Sequence, residues 1–375
     1  EASLSLQDRR RKNRRKQQLC SKTTKVVASA AGATGVFLAA QAVYVGLTTP
    51  RLPPPAQSAH DFERDGLVVV DDSLSSRQNG DTHCRIENAS KTNDTSSFTE
   101  CCSKLKNMRE KEEICVMLIG DSPVEGIGNP THDVALGGQT ARAFSRLYHK
   151  PVRYWAYGKS GLTTRGVQTE MVPLMKQISK KRELDVVIVS CGVNNTLRSH
   201  SAETFGRELN SLLHSIFDYA DSSGCSGSEN RKPNNVTVIL IGLIDFSYLP
   251  FLPWPLSSVL GWRSRSLQVE MERVVEEWQK IFSYNTSRFD QQQNKAGPKI
   301  VIANMPRVED ILNNHGGGIA EKQHPLLQGI AISDSENDLD INDFFADDGF
   351  HPAKNGTIMV GNMLAQTYHK LLIES

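Results

Sequence analysis

The sequence predicts an α/β domain in which a parallel sheet is covered by helices on both faces, a three-layer α/β/α arrangement. Three observations carry this expectation. Short apolar runs recur at 115–119, 152–157, 185–191, 236–242 and 299–303, with no polar alternation, as expected of strands buried on both faces. Segments with helical spacing, at 137–148, 164–179, 201–219 and 262–284, separate them, and a last one spans 355–372. The residues with chemistry to offer follow the strands' carboxyl ends, where the ligand clefts of such sheets lie.

Before this domain the chain reads differently. Arg9, Arg10, Arg11, Lys12, Arg14, Arg15 and Lys16 crowd into one basic run, so residues 1–25 form a basic tail and the net charge of +1 conceals an uneven layout. Residues 26–47 carry no charged side chain and at 1.5 Å per residue are long enough to cross a bilayer core. They predict a transmembrane signal anchor; a cleaved signal peptide and an organelle transit peptide are the alternatives. With only Arg51 nearby on the far side, the positive-inside rule predicts a type II membrane protein, its tail cytosolic and its catalytic domain luminal or extracellular. Residues 48–112 open with Pro50, Pro53, Pro54 and Pro55, continue polar without any sustained period, and predict a disordered stem or linker. Residues 113–375 are the folded domain, and 38% hydrophobic composition suits one such core rather than a polytopic protein.

Of seven cysteines, Cys20 precedes the predicted span, Cys115 and Cys191 fall on core strands as small buried thiols, and Cys84 with Cys101 or Cys102 is the disulfide candidate. Sequons at Asn88, Asn93, Asn235 and Asn285 fit a secretory compartment. Several classes are disfavoured. Outside the tail no basic stripe marks a nucleic-acid partner. Gly126-Ile127-Gly128 continues neither as a dinucleotide fingerprint nor as a phosphate loop. Asp334, Glu336, Asp338, Asp340 and Asp343 lack calcium-loop spacing, and Cys101-Cys102 has no partner pair for zinc.

The chemistry begins where the first apolar run, Val116 to Ile119, ends in Gly120-Asp121-Ser122-Pro123-Val124-Glu125-Gly126, placing Ser122 at a cleft as candidate nucleophile. A serine hydroxyl needs a base, a group to orient that base, and donors for a developing oxyanion. Gly158-Lys159-Ser160-Gly161 follows the second strand, where a glycine lets a backbone N–H approach a substrate oxygen. Cys191-Gly192-Val193-Asn194-Asn195 follows the third and offers neutral amide donors. Asp347-Asp348-Gly349-Phe350-His351-Pro352, before the last helix, places an acid three residues ahead of a histidine on a tight turn, so that Asp348 can hold the ring of His351; Asp347 is the other candidate orienter.

These four ordered blocks resemble the SGNH (GDSL-type) hydrolase superfamily, over residues 114–372. The resemblance implies a flavodoxin-like sheet and ester hydrolysis through an acyl-enzyme without metal or cofactor. By position it implies Ser122 as nucleophile, Asp348 and His351 as the base pair, and the backbone N–H groups of Ser122 and Gly161 with the Asn194 side chain as oxyanion hole. It is closest to the microbial-type GDSL lipase, acylhydrolase and esterase proteins that carry a Pro-rich insert ending in Leu-Gly-Trp-Arg, here Leu260-Gly261-Trp262-Arg263. The implied partner is a small-molecule, lipid or glycan ester. A secretory-pathway carbohydrate O-acetyl esterase or acyltransferase and a non-catalytic module on the same fold are the competing readings. The third block departs from the usual Gly-x-Asn-Asp in having Asn195, and restoring Asp there is expected to be tolerated. Asn194-Asn195-Thr196 is also formally a sequon, and a glycan on Asn194 would block the site. The apolar insert 245–261 is read either as an acyl-pocket wall or membrane contact, or as a loop covering the core.

Overall fold

The computed structural model describes residues 35, 37–55, 65–68, 113–222, 236–249, 251–289, 298–307, 325–328, 330 and 341–373. Six strands, β1 (Asp65–Val68), β2 (Ile114–Gly120), β3 (Val152–Gly158), β4 (Val186–Ser190), β5 (Thr237–Ile241) and β6 (Lys299–Ala303), form one sheet in the order β1-β3-β2-β4-β5-β6. Side chains alternate across the sheet because the strand period is two. Met117 and Ile119 of β2, Val187 and Val189 of β4, and Val238 and Leu240 of β5 enter one core, whereas Val116 and Leu118, Val186 and Ile188, and Ile239 and Ile241 enter the other. Both faces are therefore buried, which explains the unbroken apolar runs.

Residues 37–48 form a first helix, α1. After it come the single turn α2 (Ser122–Glu125), α3 (Leu136–Tyr148), and α4, in which Thr164–Gly166, Val167–Met171 and Val172–Ser179 run on with a π-helical turn in the middle. Then follow α5 (Val193–Leu197), α6 (Ala202–Ser222), α7 (Leu256–Phe289) and α8 (Lys354–Ile373). Helices α4, α6 and α7 cover the first core through Met175, Leu209 and Met271, and α3 and α8 cover the second through Phe144 and Leu364. The helices expected from spacing all form, and α7 begins six residues earlier than expected, at Leu256, because the end of the insert is already helical.

The sheet is mixed rather than wholly parallel. β1 runs antiparallel to β3, pairing Asp65 with Trp155 and Val68 with Val152, while the other pairs are parallel. It lies inside the range 48–112 read as a disordered stem, and for residues 65–68 that reading is corrected. A four-residue edge strand, Asp65-Gly66-Leu67-Val68, is too short to display a period. Gly66 fits because a Cβ there would meet the Tyr154 ring.

The structure describes part of the segment read as an anchor. Residues 26–34 and 36 of that segment lie outside the described residues, but its other half is α1, which packs on the domain. Leu38 and Val45 contact a small cluster of Phe246, Leu249, Leu252 and Leu256, and the Gln41 side chain donates to the Trp254 carbonyl at 2.9 Å. The chain then runs on through Leu52, near Gly128, and Pro55, against Gly126. The insert thus forms a satellite core with α1. Among the described residues no helix is long and apolar enough to cross a membrane. The disulfide candidates Cys84, Cys101 and Cys102 and the sequons Asn88, Asn93 and Asn235 lie outside the described residues, whereas Cys115 and Cys191 are free and buried.

Docking of α1 makes a testable difference. Replacing both Leu38 and Val45 with Asp should lower the folding free energy of the domain by roughly 1–3 kcal/mol, read as a shift of the urea midpoint at constant slope. An unchanged midpoint would mean that α1 does not contribute to the fold.

Candidate active site

The site is built where β2, β3 and β4 end. Ser122 directly follows the Gly120-Asp121 end of β2 and opens α2, with Pro123 in the first turn, where its missing N–H is no loss. The turn is tight, since the Asp121 carbonyl accepts from the backbone of both Val124 and Glu125, at 3.1 and 3.0 Å. α2 lies directly on the end of β3 because residue 158 is glycine: a Cβ there would run into the backbone nitrogen of Glu125.

Asp121, fully buried, organises the side of the site on which Asn194 stands. Ser190 Oγ, at the end of β4, donates to its Oδ1 at 2.7 Å, and Asn194 Nδ2 donates to its Oδ2 at 3.3 Å. One carboxylate therefore ties together the ends of two neighbouring strands and the short helix α5. Burial lifts the Asp121 carboxyl to about 6, against the pull of Ser190, His351 and Asn194. The stability this group contributes is fully present below its ordinary pKa and is lost as pH rises through about 6.

Asn195, the residue that departs from the usual Asp, is completely buried and fully used. Its Oδ1 accepts from the Thr164 backbone N–H and hydroxyl, at 2.9 and 3.0 Å, and its Nδ2 donates to Glu208 Oε2 at 2.8 Å and faces His200 Nδ1 at 3.0 Å. The amide is required because it must accept on one side and donate to a carboxylate on the other. This network argues against the expectation that Asp would be tolerated here, since Asp would set a second carboxylate against Glu208. Thr196, the last residue of the formal sequon, is buried and bonds the Gly192 carbonyl at 3.1 Å.

Gly161 sits at φ 81°, in the left-handed region that favours glycine. Its loop is held from both sides. Ser160 N–H donates to Glu125 Oε2 at 2.6 Å, and Arg198 Nη2 donates to the Gly161 carbonyl at 2.9 Å. Arg263, last residue of the Leu-Gly-Trp-Arg motif, donates to the carbonyls of Thr196 and His200 at 3.2 and 2.9 Å, bracing the end of α5. The sequence named that motif without showing its purpose.

On the other side stands the turn before α8. Asp348 Oδ2 meets His351 Nδ1 at 2.5 Å, and its Oδ1 accepts from the backbone of Phe350 and His351, each at 2.9 Å. Gly349, at φ 66°, closes the turn. Burial alone would push the Asp348 carboxyl up, but hydrogen bonds from the His351 ring and the two N–H groups together hold it below the ordinary carboxylate range. Asp347 is not the ring's partner. Ser122 and His351 line the same apolar cavity together with Ser190 and Cys191. Ser122, His351 and Asp348 are thus gathered at one end of the sheet, with Asn194 tied to the neighbouring Asp121 and the Gly161 loop tied to α2. Asp121, Glu125, Ser190, Arg198 and Glu208 are the supporting residues that sequence reasoning missed. Asp121 and Glu125 stand within the serine block itself; Glu208 carries no local signal, being one acid among several on a helix.

A strand-end serine and a carboxylate-held histidine line one cavity at the end of a parallel core sheet, an arrangement suited to hydrolase chemistry. The chain belongs to the GDSL-like lipase/acylhydrolase family, whose model matches residues 116–364. No match was found among curated protein sequences. Among solved structures it is similar to a Clostridium thermocellum family 3 carbohydrate esterase, with 17% identity, a TM-score of 0.41, and coverage of 70% of this chain and 98% of that one. It is also similar to Est24, a carbohydrate acetylesterase from Sinorhizobium meliloti, with 14% identity and a TM-score of 0.41 over 69% of this chain and 99% of that one. An inhibitor-bound M. smegmatis aryl esterase is 17% identical, with a TM-score of 0.37 over 69% and 99% of the two chains.

The Asn195 network yields a prediction with a pH signature. Asn195→Asp should cost roughly 3 kcal/mol or more of stability at pH 7.5, because the new carboxylate opposes Glu208 in a buried site. The loss should shrink toward pH 5 as the pair takes up a proton. Denaturation at the two pH values checks this, and equal stability of variant and wild type at pH 7.5 would contradict it.

Proposed function

We propose that this protein is a serine esterase that cleaves carboxylic esters through an acyl-enzyme. The observation that carries the reading is the Asp348–His351 pair opening on the cavity that also holds Ser122. Asp348 fixes the proton on His351 Nδ1, which leaves Nε2 free to accept from the Ser122 hydroxyl. Its depressed pKa keeps it ionised at neutral pH, so it stabilises the imidazolium that forms. Ser122 Oγ bonds to the carbonyl carbon, and the negative charge that gathers on the carbonyl oxygen falls to the Ser122 and Gly161 N–H groups and Asn194 Nδ2. The bond to the alcohol oxygen then breaks, the proton on His351 passes to that oxygen, and the alcohol leaves. Water, deprotonated by the same histidine, releases the acid and restores Ser122. A sugar hydroxyl in place of that water would give acyl transfer, and the broad cleft of about 680 Å3 beside His351 has room for one.

Asn194 is suited to its role because Asp121 orients it at no cost in donor capacity: one amide hydrogen goes to the carboxylate and the other remains for the oxyanion. Bound in this way and set on a braced helix, it is also a poor substrate for glycosylation.

The test is kinetic. Ser122→Ala and His351→Ala should each abolish hydrolysis of p-nitrophenyl acetate with circular dichroism unchanged, and Asp348→Asn should be milder than either. Asn194→Ala should lower kcat about 100- to 1000-fold with little change in KM, since this donor acts as charge develops. Near wild-type turnover by folded Ser122→Ala would remove the proposal.

A further inference from the structure

Two cavities of different character meet at His351. The first is narrow and apolar, about 110 Å3, and runs from Ser122 between the ends of β5 and β6 and helix α8. Leu136, Ile241, Met305, Phe344, Met359 and Val360 are among its walls. The second is the wide cleft of about 680 Å3, walled by residues from α1 and the segment after it, and reaching Ser160, Glu125 and His351. Ser122 lines the first and is not among the residues lining the second.

On the esterase reading, this difference sorts the two halves of the substrate. The acyl carbon bonds to Ser122, whereas the alcohol oxygen must lie toward His351 to receive its proton. The narrow cavity therefore continues from the acyl carbon and the wide cleft from the alcohol. An acetyl group would leave the narrow cavity empty, although its apolar walls would cover much of an acyl chain.

We infer that the narrow cavity is an acyl-chain site and that the protein acts on esters of short unbranched fatty acids, butanoyl to hexanoyl, rather than on acetyl esters. Its volume sets the length. An apolar cavity of ~150 Å3 holds the six carbons of benzene, so about 110 Å3 takes roughly four or five carbons beyond the carbonyl. A chain longer than this volume accommodates leaves its end in water, and the gain per methylene should stop there. Val360 on α8 and Met305 after β6 are then specificity-determining residues, one able to shorten the site and the other to lengthen it.

The experiment is a series of p-nitrophenyl esters from acetate to dodecanoate. Each methylene that enters an apolar site is worth about fourfold, so wild-type kcat/KM should rise about 16-fold from acetate to butanoate, peak by hexanoate, and fall at decanoate. Val360→Phe should reduce the butanoate-to-acetate ratio at least tenfold, and Met305→Ala should move the peak to a longer chain, circular dichroism serving to establish that both are folded. Rates that fall steadily from acetate onward, while still requiring Ser122, would overturn the acyl-site assignment and leave the esterase intact. Profiles unchanged in both folded variants would overturn it as well. If no ester in the series is hydrolysed in a Ser122-dependent way, the esterase reading fails, and this inference with it.

Discussion

The arrangement depends on a single buried carboxylate. Asp121 stands between the ends of β2 and β4, accepts from Ser190 and Asn194, and is followed immediately by Ser122. Charged, it is costly, and its pKa of about 6 measures how reluctantly the site holds it. The cost is accompanied by geometry that no apolar residue could supply. One acceptor oxygen holds the amide of Asn194 and the other the hydroxyl of Ser190, so that Asn194 is fixed relative to the backbone of Ser122 from strand ends rather than from mobile loops.

A helix of five residues such as α5 has little stability of its own. Its position comes from neighbours: Arg263 and Arg198 act near its carboxyl end, where positive charge also complements the helix dipole, and Asn195 locks it to α4 and α6. The same Arg198 reaches across to the Gly161 carbonyl, so the two proposed oxyanion elements share a brace. The apolar insert serves this end too. Its satellite core of Phe246, Leu249, Leu252 and Leu256 seats the start of α7, from which Arg263 projects, and α1 covers that core. Residues distant in sequence from Ser122 thereby influence how rigidly its surroundings are held.

Much of this was legible in the sequence, for physical reasons that can be named. Runs such as Val116-Met117-Leu118-Ile119 announce strands because both sheet faces are buried, and the order of serine, glycine, asparagine and histidine blocks follows from strand ends sharing one edge of the sheet. Asp348 was separable from Asp347 only by the three-residue offset to His351, which the observed turn satisfies. β1 escaped because four residues on an edge carry no periodic signal. The segment 26–47 reads as a membrane span because an apolar helix looks the same whether its partner is lipid or protein; in its described part, Leu38 and Val45 contact the insert, itself apolar. The setting of Asn195 is illegible in the sequence because its amide partner, Glu208, stands thirteen residues away, on one turn among many of α6.

The central claim is that Ser122 is a nucleophile activated by His351, and covalent capture tests it most directly. A fluorophosphonate ester reacts with an activated serine by forming a phosphorus–oxygen bond with loss of fluoride, leaving an adduct that peptide mass spectrometry can locate. The account predicts stoichiometric modification of Ser122 in the wild-type protein and its loss in His351→Ala. Absence of any adduct on folded wild-type protein, or an adduct on another serine such as Ser160 or Ser190 with Ser122 untouched, would contradict it.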